Sequence, residues 1–336
     1  MLTQKLTQRG AEFLGVDIPI LAGAMTWVSD STLTAAVSEA GGFGVLAAGN
    51  TPPDILEKEI DACFQKTKKN FGVNVITVSP SYLEQLAVIA ASPVKYVIFA
   101  GGIPHPDQIK QAKDTGKKVI AFAPTLKFAQ RLERIGVDAL IIEGHEAGGH
   151  IGPVTTMILI QEILFHMKNI PIFVAGGIGT GKMMAHLLLM GASGLQLGTR
   201  FVLSEEANVH EKMKKEFLRS EARDAVVSFG ITKDIHVIPV RALKNKGHQN
   251  FLELQVKVVE DIQNNKLSKE EGSIEVEKFW LGALRRATQE GDIDFGSLMA
   301  GESVGLFKDI LPVKQIIENY KKEIEESLQE AKNLLS

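Results

Sequence analysis

Between Pro19 and Phe201 the chain alternates short, continuously apolar runs with longer stretches whose apolar residues recur at helical spacing. A strand buried on both faces needs the first pattern, and the second supplies the helical crossover to a parallel neighbour. Eight strand candidates follow: Pro19–Gly23, Gly44–Gly49, Gly72–Val78, Tyr96–Gly101, Val119–Ala123, Ala139–Glu143, Pro171–Gly176 and Gly194–Thr199. Helices between them carry end signals: Asp54 to Lys66, Pro106 to Lys113, and Leu126 to Ile135 with Gly136 as a C-terminal stop. Eight βα units in about 200 residues predict a (βα)8 TIM barrel, with a doubly wound sheet as the fallback.

Beyond Phe201 the pattern becomes charged and helical from Asn208 to Glu221, passes a basic stretch, and continues as polar helix to Asn265. The expected organisation is a barrel over residues 1–205, a smaller, mostly helical lid subdomain over 206–295, and a return segment with a C-terminal helix over 296–336. Val313, Ile316, Ile317, Tyr320, Ile324, Leu328, Ala331 and Leu335 form one helical stripe, which predicts that this last helix packs back on the barrel.

Composition narrows the class. Lysine plus arginine is 37 and aspartate plus glutamate 40 in 336 residues, a net charge of −3, so no nucleic-acid footprint is present. The single cysteine, Cys63, excludes an internal disulfide framework and any multi-cysteine metal site, and no metal is expected. The longest apolar stretch, Leu86 to Ile103, is cut by Pro93 and Lys95, so no membrane span is expected and the cytoplasm is the expected location. Glycines cluster after the apolar runs, which points to loops closely approached by a ligand.

Three familiar patterns fail on their chemistry. Gly176 to Lys182 fits Gly-x4-Gly-Lys, but Met183 stands where a phosphate loop needs a hydroxyl for magnesium. His145 and His150 are five apart and separated by glycines, which a zinc-binding helix does not tolerate. Neither a Gly-x-Gly-x-x-Gly opening a βαβ unit nor a Gly-x-Ser-x-Gly elbow occurs, so a separate dinucleotide domain and an α/β-hydrolase have no support.

In such a barrel the chemistry sits at the carboxyl ends of the strands, and phosphate is often held after strands seven and eight. Ala175-Gly176-Gly177 and Gly198-Thr199 fall there, and glycine exposes backbone N–H groups to phosphate oxygens. Gly23, Ala24 and Met25 after the first strand leave room for a flat ring. Asn74 reads either as a hydrogen-bond partner for a heterocycle edge or as an Asx turn, and Glu143 either as a contact to a ligand hydroxyl or as a solvated acid. His150 closes the glycine-rich run after strand six and is the candidate acid–base group. His145 in the same loop is ambiguous, whereas His105, His166, His186, His210, His236 and His248 read as surface or packing residues.

Taken in order, several segments resemble the flavin-dependent nitronate monooxygenase superfamily, and most closely its FMN-dependent enoyl-acyl-carrier-protein reductases of type II. They are Pro19 to Val28, Ala40 to Gly44, Phe71 to Asn74, Glu143 to Gly152, Ala175 to Gly179, Leu197 to Phe201 and Ser297 to Gly301, with Glu146-Ala-Gly-Gly-His150 the most specific. The resemblance implies a barrel with one noncovalent FMN. Gly23, Ala24, Met25 and Asn74 would line its ring, with Gly148 and Gly149 near it. Gly176, Gly177, Gly198 and Thr199 would cradle its phosphate, and Met299, Ala300 and Gly301 would return to touch it. His150 matches the active-site histidine. Two departures are Ala24 before Met25, where Gly-Gly-Met is usual, and Glu302, where glutamine is common.

The implied activity is NAD(P)H-dependent reduction of trans-2-enoyl thioesters in fatty acid synthesis. The alternative is oxidation of alkyl nitronates with oxygen. Lacking a dinucleotide domain, NAD(P)H would stack directly on the flavin. The substrate is small or carried on an acidic carrier protein, which Arg241, Lys244 and Lys246 could meet unless they are ordinary lid surface. A homodimer is allowed for. Two other classes stay open: a phosphosugar isomerase or aldolase barrel, though the eight strands hold no lysine for an aldolase, and a noncatalytic flavin-binding protein.

Overall fold

The structure is a computed structural model that describes residues 2–335 except 233, 234, 236 and 238, so the reading of His236 lies outside the described residues. All eight expected strands form: β1 (Ile20–Ala22), β2 (Gly44–Ala47), β3 (Phe71–Ile76), β4 (Tyr96–Ala100), β5 (Lys118–Phe122), β6 (Ala139–Glu143), β8 (Ile172–Ala175) and β9 (Gly194–Leu197). A short strand β7 (Gly149–His150) lies between β6 and β8. The eight pair in parallel in the order β1-β9-β8-β6-β5-β4-β3-β2. Two backbone bonds close the ring, Phe43 N–H to Ile20 O at 2.8 Å and Ala22 N–H to Phe43 O at 3.0 Å. The fold is a TIM-like (βα)8 barrel.

Alternation along each strand builds two shells. Leu21, Val45, Tyr96, Ile98, Ile120, Ala139, Ile141, Phe173 and Ala175 pack together in the barrel interior. Leu46, Val73, Val97, Val119, Leu140, Val174 and Leu195 face outward into the larger core beneath the helices.

A helix absent from the sequence reading, Leu2–Leu14, closes the amino end of the barrel. Leu14 is fully buried in the interior cluster, and the Phe13 ring packs on Tyr96 and Phe173. The Phe13 carbonyl accepts from Tyr96 OH at 2.8 Å and Lys118 Nζ at 2.7 Å. With that end plugged, a ligand has only the carboxyl end to enter.

The lid carries the helices Glu211–Arg219, Lys246–Gln263 and Lys269–Arg285, a π turn Arg286–Glu290, and strands β10 (Ala225–Ser228) and β11 (Val240–Leu243). The sequence reading placed residues 149 and 150 in a free loop; they form instead the edge of a lid sheet ordered β10-β11-β7. Gly149 sits opposite Arg241, and His150 opposite Val240.

The C-terminal helix Val313–Leu335 packs on the helix Gly181–Leu189 and on the N-terminal helix, as expected. Its stripe ends early: Leu328 is buried, but Ala331 is half-buried and Leu335 is 89% exposed. At 23 residues against 9 for its main neighbour, the helix overhangs the barrel, and its last turns find nothing to pack on. Among the described residues no helix is long and apolar enough to cross a membrane, and no group of His, Cys, Asp and Glu is placed to hold a metal ion.

Candidate active site

The barrel interior changes character at its carboxyl end. Ala139 and Ile141 of β6 face inward, so Glu143 is the next inward residue. Val73 and Val75 face outward, which turns Asn74 inward, and Leu195 and Leu197 do the same for Gln196. The top interior layer therefore sets two carboxamides and a carboxyl among the small residues Gly23 and Ala175. Asn74 is 5% exposed, and its Nδ2 donates to Ile98 O on β4 at 3.1 Å, so it braces the neighbouring strand and is no Asx turn.

Gln196 was missed by the sequence reading. It is 7% exposed, and a Cβ on Gly23 would stand 3.3 Å from its Nε2. The signal was present in Gly194-Leu-Gln-Leu, where the glutamine shares the glycine face of its strand. Glu143 is half-buried, and its carboxyl has no hydrogen-bond partner among the described residues. Burial pushes its pKa up to about 8, with no charged neighbour contributing. It is the last residue of β6, half-buried at the mouth of the barrel.

Four rim loops and the return segment converge on this layer. After β1, the buried Ser29 hydroxyl accepts from Met25 N–H and donates to Gly23 O, both at 3.0 Å, which fixes the turn containing Ala24. Gly23 N–H donates to Leu197 O at 2.8 Å, tying this turn to β9. A Cβ on Gly198 would meet only the Met25 sulfur, at 3.7 Å, so Gly198 leaves open space. Thr199 Oγ1 accepts from Gly301 N–H at 3.0 Å, and Glu302 N–H donates to Glu146 O at 3.0 Å. The return segment thus bridges the loops after β9 and β6.

Two glycines of the Glu-Ala-Gly-Gly-His segment are needed for this closure. A Cβ on Gly148 would lie 2.5 Å from backbone atoms of Ala300 and Gly301, and Gly149 has φ +76° with its open side toward the Met299 sulfur. Gly176 and Gly177 follow Ala175 and turn the chain beside the Gly144 backbone and the Glu146 side chain. A cavity of about 360 Å³ opens there, lined by Glu146, Thr156, Met157, Gly176, Gly177, Glu221, Glu302 and Leu306. Of its three carboxylates, Glu302 pairs with Arg241 at 2.8 Å and Glu146 accepts from Thr156 N–H and Oγ1, both at 2.9 Å.

His150 Nε2 stands 3.5 Å from Glu277 Oε1 of the lid, with 43% of the histidine side chain exposed. Its position is set by Arg241 on the adjacent strand. The sequence reading offered Arg241 as a basic group for a partner's surface, and the structure overturns this, because only 5% of its side chain is exposed. The guanidinium donates to His145 O from Nε at 3.2 Å and Nη2 at 3.1 Å and to Ala225 O at 2.6 Å, and its Nη1 forms an ion pair with Glu302 Oε1 at 2.8 Å. Burial pushes its pKa down, and Glu302 and Glu146 pull it back up. Lys246 pairs with Asp294 at 3.4 Å, and Lys244 is exposed.

The other histidines among the described residues make local contacts. His105 and His210 accept from backbone N–H groups at helix starts, and His248 Nδ1 meets Ser228 Oγ at 3.0 Å. His166 and His186 approach carbonyls of their own helices, while His145 Nδ1 lies 2.9 Å from Gly152 O, which holds that ring within its own loop.

A barrel whose mouth pairs polar interior groups with glycine loops, beside a short strand carrying a histidine, has the layout of a barrel enzyme. The family model for nitronate monooxygenase matches residues 8–85 and 76–323, and the chain belongs to that family of oxidoreductases. It is 39% identical to the structure of FabK from Thermotoga maritima, covering 97% of this chain and 98% of that one, with a TM-score of 0.87. It is 29% identical over 328 residues to (3aS,4S,5R,7aS)-5-hydroxy-7a-methyl-1-oxo-octahydro-1H-indene-4-carboxyl-CoA dehydrogenase of Rhodococcus jostii, covering 91% and 92% of the two chains. A probable nitronate monooxygenase of Staphylococcus aureus is 30% identical over 265 residues, 66% of this chain and 74% of the relative.

Proposed function

We propose that the protein is a cytoplasmic FMN-dependent oxidoreductase that uses NAD(P)H to reduce trans-2-enoyl thioesters. One observation carries the FMN assignment: the top interior layer offers Asn74, Glu143 and Gln196 around small residues, a mixed donor and acceptor set suited to a planar heterocycle edge. The lean toward enoyl thioesters rests on the motifs of that branch and on the near full-length likeness to FabK.

In this reading Gly23, Ala24 and Met25 line one side of the ring, and Gly198 and Thr199 receive the phosphate with their backbone N–H groups. The bound group supplies hydride transfer to the β-carbon of the enoyl thioester. His150 would deliver a proton to the α-carbon, and its Nε2, 3.5 Å from Glu277 Oε1, supports a role for that carboxylate in orienting the ring. Met299 to Gly301 and the glycines at 148 and 149 close the mouth against water.

A second reading, oxidation of alkyl nitronates, is favoured by the family model and by the Staphylococcus aureus relative. Anaerobic reduction with NADH or NADPH, followed by crotonyl thioester or an alkyl nitronate, separates the two. Rapid reoxidation by the thioester is the expected result. Indifference to it, with oxygen-dependent consumption of nitronate, establishes the second reading instead.

A further inference from the structure

We propose that Trp27 and Arg285 form a subsite for an adenosine phosphate, the part of a reduced nicotinamide dinucleotide or of a coenzyme A thioester that lies away from the reacting atoms. The indole stacks on the base and the guanidinium pairs with phosphate. This rests on the NAD(P)H and enoyl thioester reading above and adds to it where the remote half of a substrate is held. The chain has no Gly-x-Gly-x-x-Gly dinucleotide motif, so that half needs a place on the rim of the barrel.

The backbone leads the argument. Trp27 lies in the turn after β1, where Val28 N–H and Ser29 N–H both donate to Met25 O, at 3.0 and 2.8 Å. The turn puts Trp27 in the left-handed region, with φ +66°. Glycine takes that conformation without strain, whereas a bulky side chain there is an outlier. Among the described residues other than glycine, only Asn265 shares it, and asparagine tolerates it. The strain is held from both sides. The Ser29 hydroxyl ties Met25 N–H to Gly23 O, and Gln289 Nε2 of the lid donates to Trp27 O at 3.2 Å.

Core packing does not account for a tryptophan at this position. Trp27 is 48% exposed and joins none of the hydrophobic clusters. Among the described residues its ring has no aromatic or cationic partner, and its Nε1 has no acceptor. Phe295, a comparably exposed aromatic of the lid, is by contrast covered by Lys246 Nζ at 5.6 Å. Backbone strain kept to display a flat, unpartnered ring beside the Met25 turn has its use in a ligand that stacks. Arg285 supplies the charge. It lies one turn before Gln289 along the same stretch of lid helix and is exposed, and its guanidinium makes no ion pair or hydrogen bond among the described residues. Its neighbour Arg286 is already paired, with Asp292 at 3.6 Å. An acyl chain would use the ring alone; a base with its phosphate uses both groups.

The test compares each ligand with and without its adenosine phosphate. Anaerobic reduction of the holoenzyme's FMN is followed with NADH, NADPH and reduced nicotinamide mononucleotide, and turnover with crotonyl-CoA and crotonyl pantetheine. In wild type the adenosine phosphate should lower Kd or KM about tenfold within one of these sets. Trp27→Gly, which removes the ring and eases the backbone, should abolish that advantage while the shorter ligand keeps its constant. Trp27→Phe should restore most of it. Arg285→Met should weaken the same longer ligand and flatten its salt dependence, and it carries the test should Trp27→Gly fail to fold by circular dichroism. An effect confined to the dinucleotides assigns the subsite to NAD(P)H, and one confined to crotonyl-CoA assigns it to the thioester. No advantage from the adenosine phosphate in either set, or equal weakening of longer and shorter ligands, overturns the proposal and leaves the NAD(P)H reading intact. An FMN that none of the three nicotinamides reduces overturns that reading and the proposal with it.

Discussion

Replacing Arg241 with methionine tests whether a buried cation holds the histidine strand in place. The change keeps an unbranched side chain of comparable body but removes four polar contacts: two to His145 O, one to Ala225 O and one to Glu302. Leaving a buried carbonyl without its donor costs about 1–3 kcal/mol, so the His145 and Ala225 carbonyls together imply a loss of roughly 2–6 kcal/mol. Glu302, with 41% of its side chain exposed, rehydrates and adds little. Methionine recovers part of the packing, which sets the expectation at about 3 kcal/mol, with about half of that for Arg241→Lys, whose single ammonium cannot serve both carbonyls.

Urea unfolding monitored by circular dichroism measures the loss, and a double-mutant cycle with Glu302→Gln apportions it. The carbonyl account requires a coupling to Glu302 below about 1 kcal/mol. It also requires faster amide exchange over residues 145–150, because His145 O is an anchor of that segment. An Arg241→Met protein within about 0.5 kcal/mol of wild type refutes the reasoning. A coupling that accounts for the whole loss does so too, since the ion pair would then be the anchor.

Three further outcomes follow. Gly148→Ala, whose Cβ would stand 2.5 Å from the Ala300 and Gly301 backbones, should displace the return segment and lower bound flavin per purified chain by about tenfold, whereas Gly152→Ala, meeting Pro124 Cβ at 3.5 Å, should be tolerated. His150→Ala should lower kcat by roughly 10²–10⁴-fold with Tm unchanged, as measured by steady-state kinetics and calorimetry. Glu277→Gln should give a smaller loss in the same assay. Gly10→Ala, whose Cβ would fall 1.8 Å from Ser193 O, should cost about 2–3 kcal/mol in urea unfolding and leave KM unchanged, because it disturbs only the plugged end.

What could be read from the sequence follows the range of the forces involved. Strands and helices of the barrel are written in local periodicity, and all eight strands emerged from it. The glycine loops were legible because their backbone demands exclude most other residues. Leu2–Leu14 was not, since its role depends on Phe13 and Leu14 meeting Tyr96 and Phe173, contacts distant in sequence. Arg241 was misread for the same reason: burial of a charge is decided by acceptors such as Ala225 O and Glu302, which no local pattern announces. Gln196 lay within reach, as strand alternation alone turns it inward.

The two halves of the site are therefore built by different means, and this divides their tasks. In the proposed reading the cofactor side consists of strand ends and main-chain turns whose positions are fixed by the barrel's own hydrogen bonding, from Gly23 N–H on Leu197 O to Asn74 on Ile98 O. The proposed proton side hangs on the lid: β7 pairs with β11, and Arg241 in β11 grips the carbonyl of His145, five residues before His150. Any displacement of the lid sheet carries His150 with it while leaving the barrel turns in place. Lid substitutions that keep Arg241 should accordingly change substrate preference and proton delivery without releasing FMN. A lid variant that loses FMN as readily as Gly148→Ala would show that the two halves are one mechanical unit.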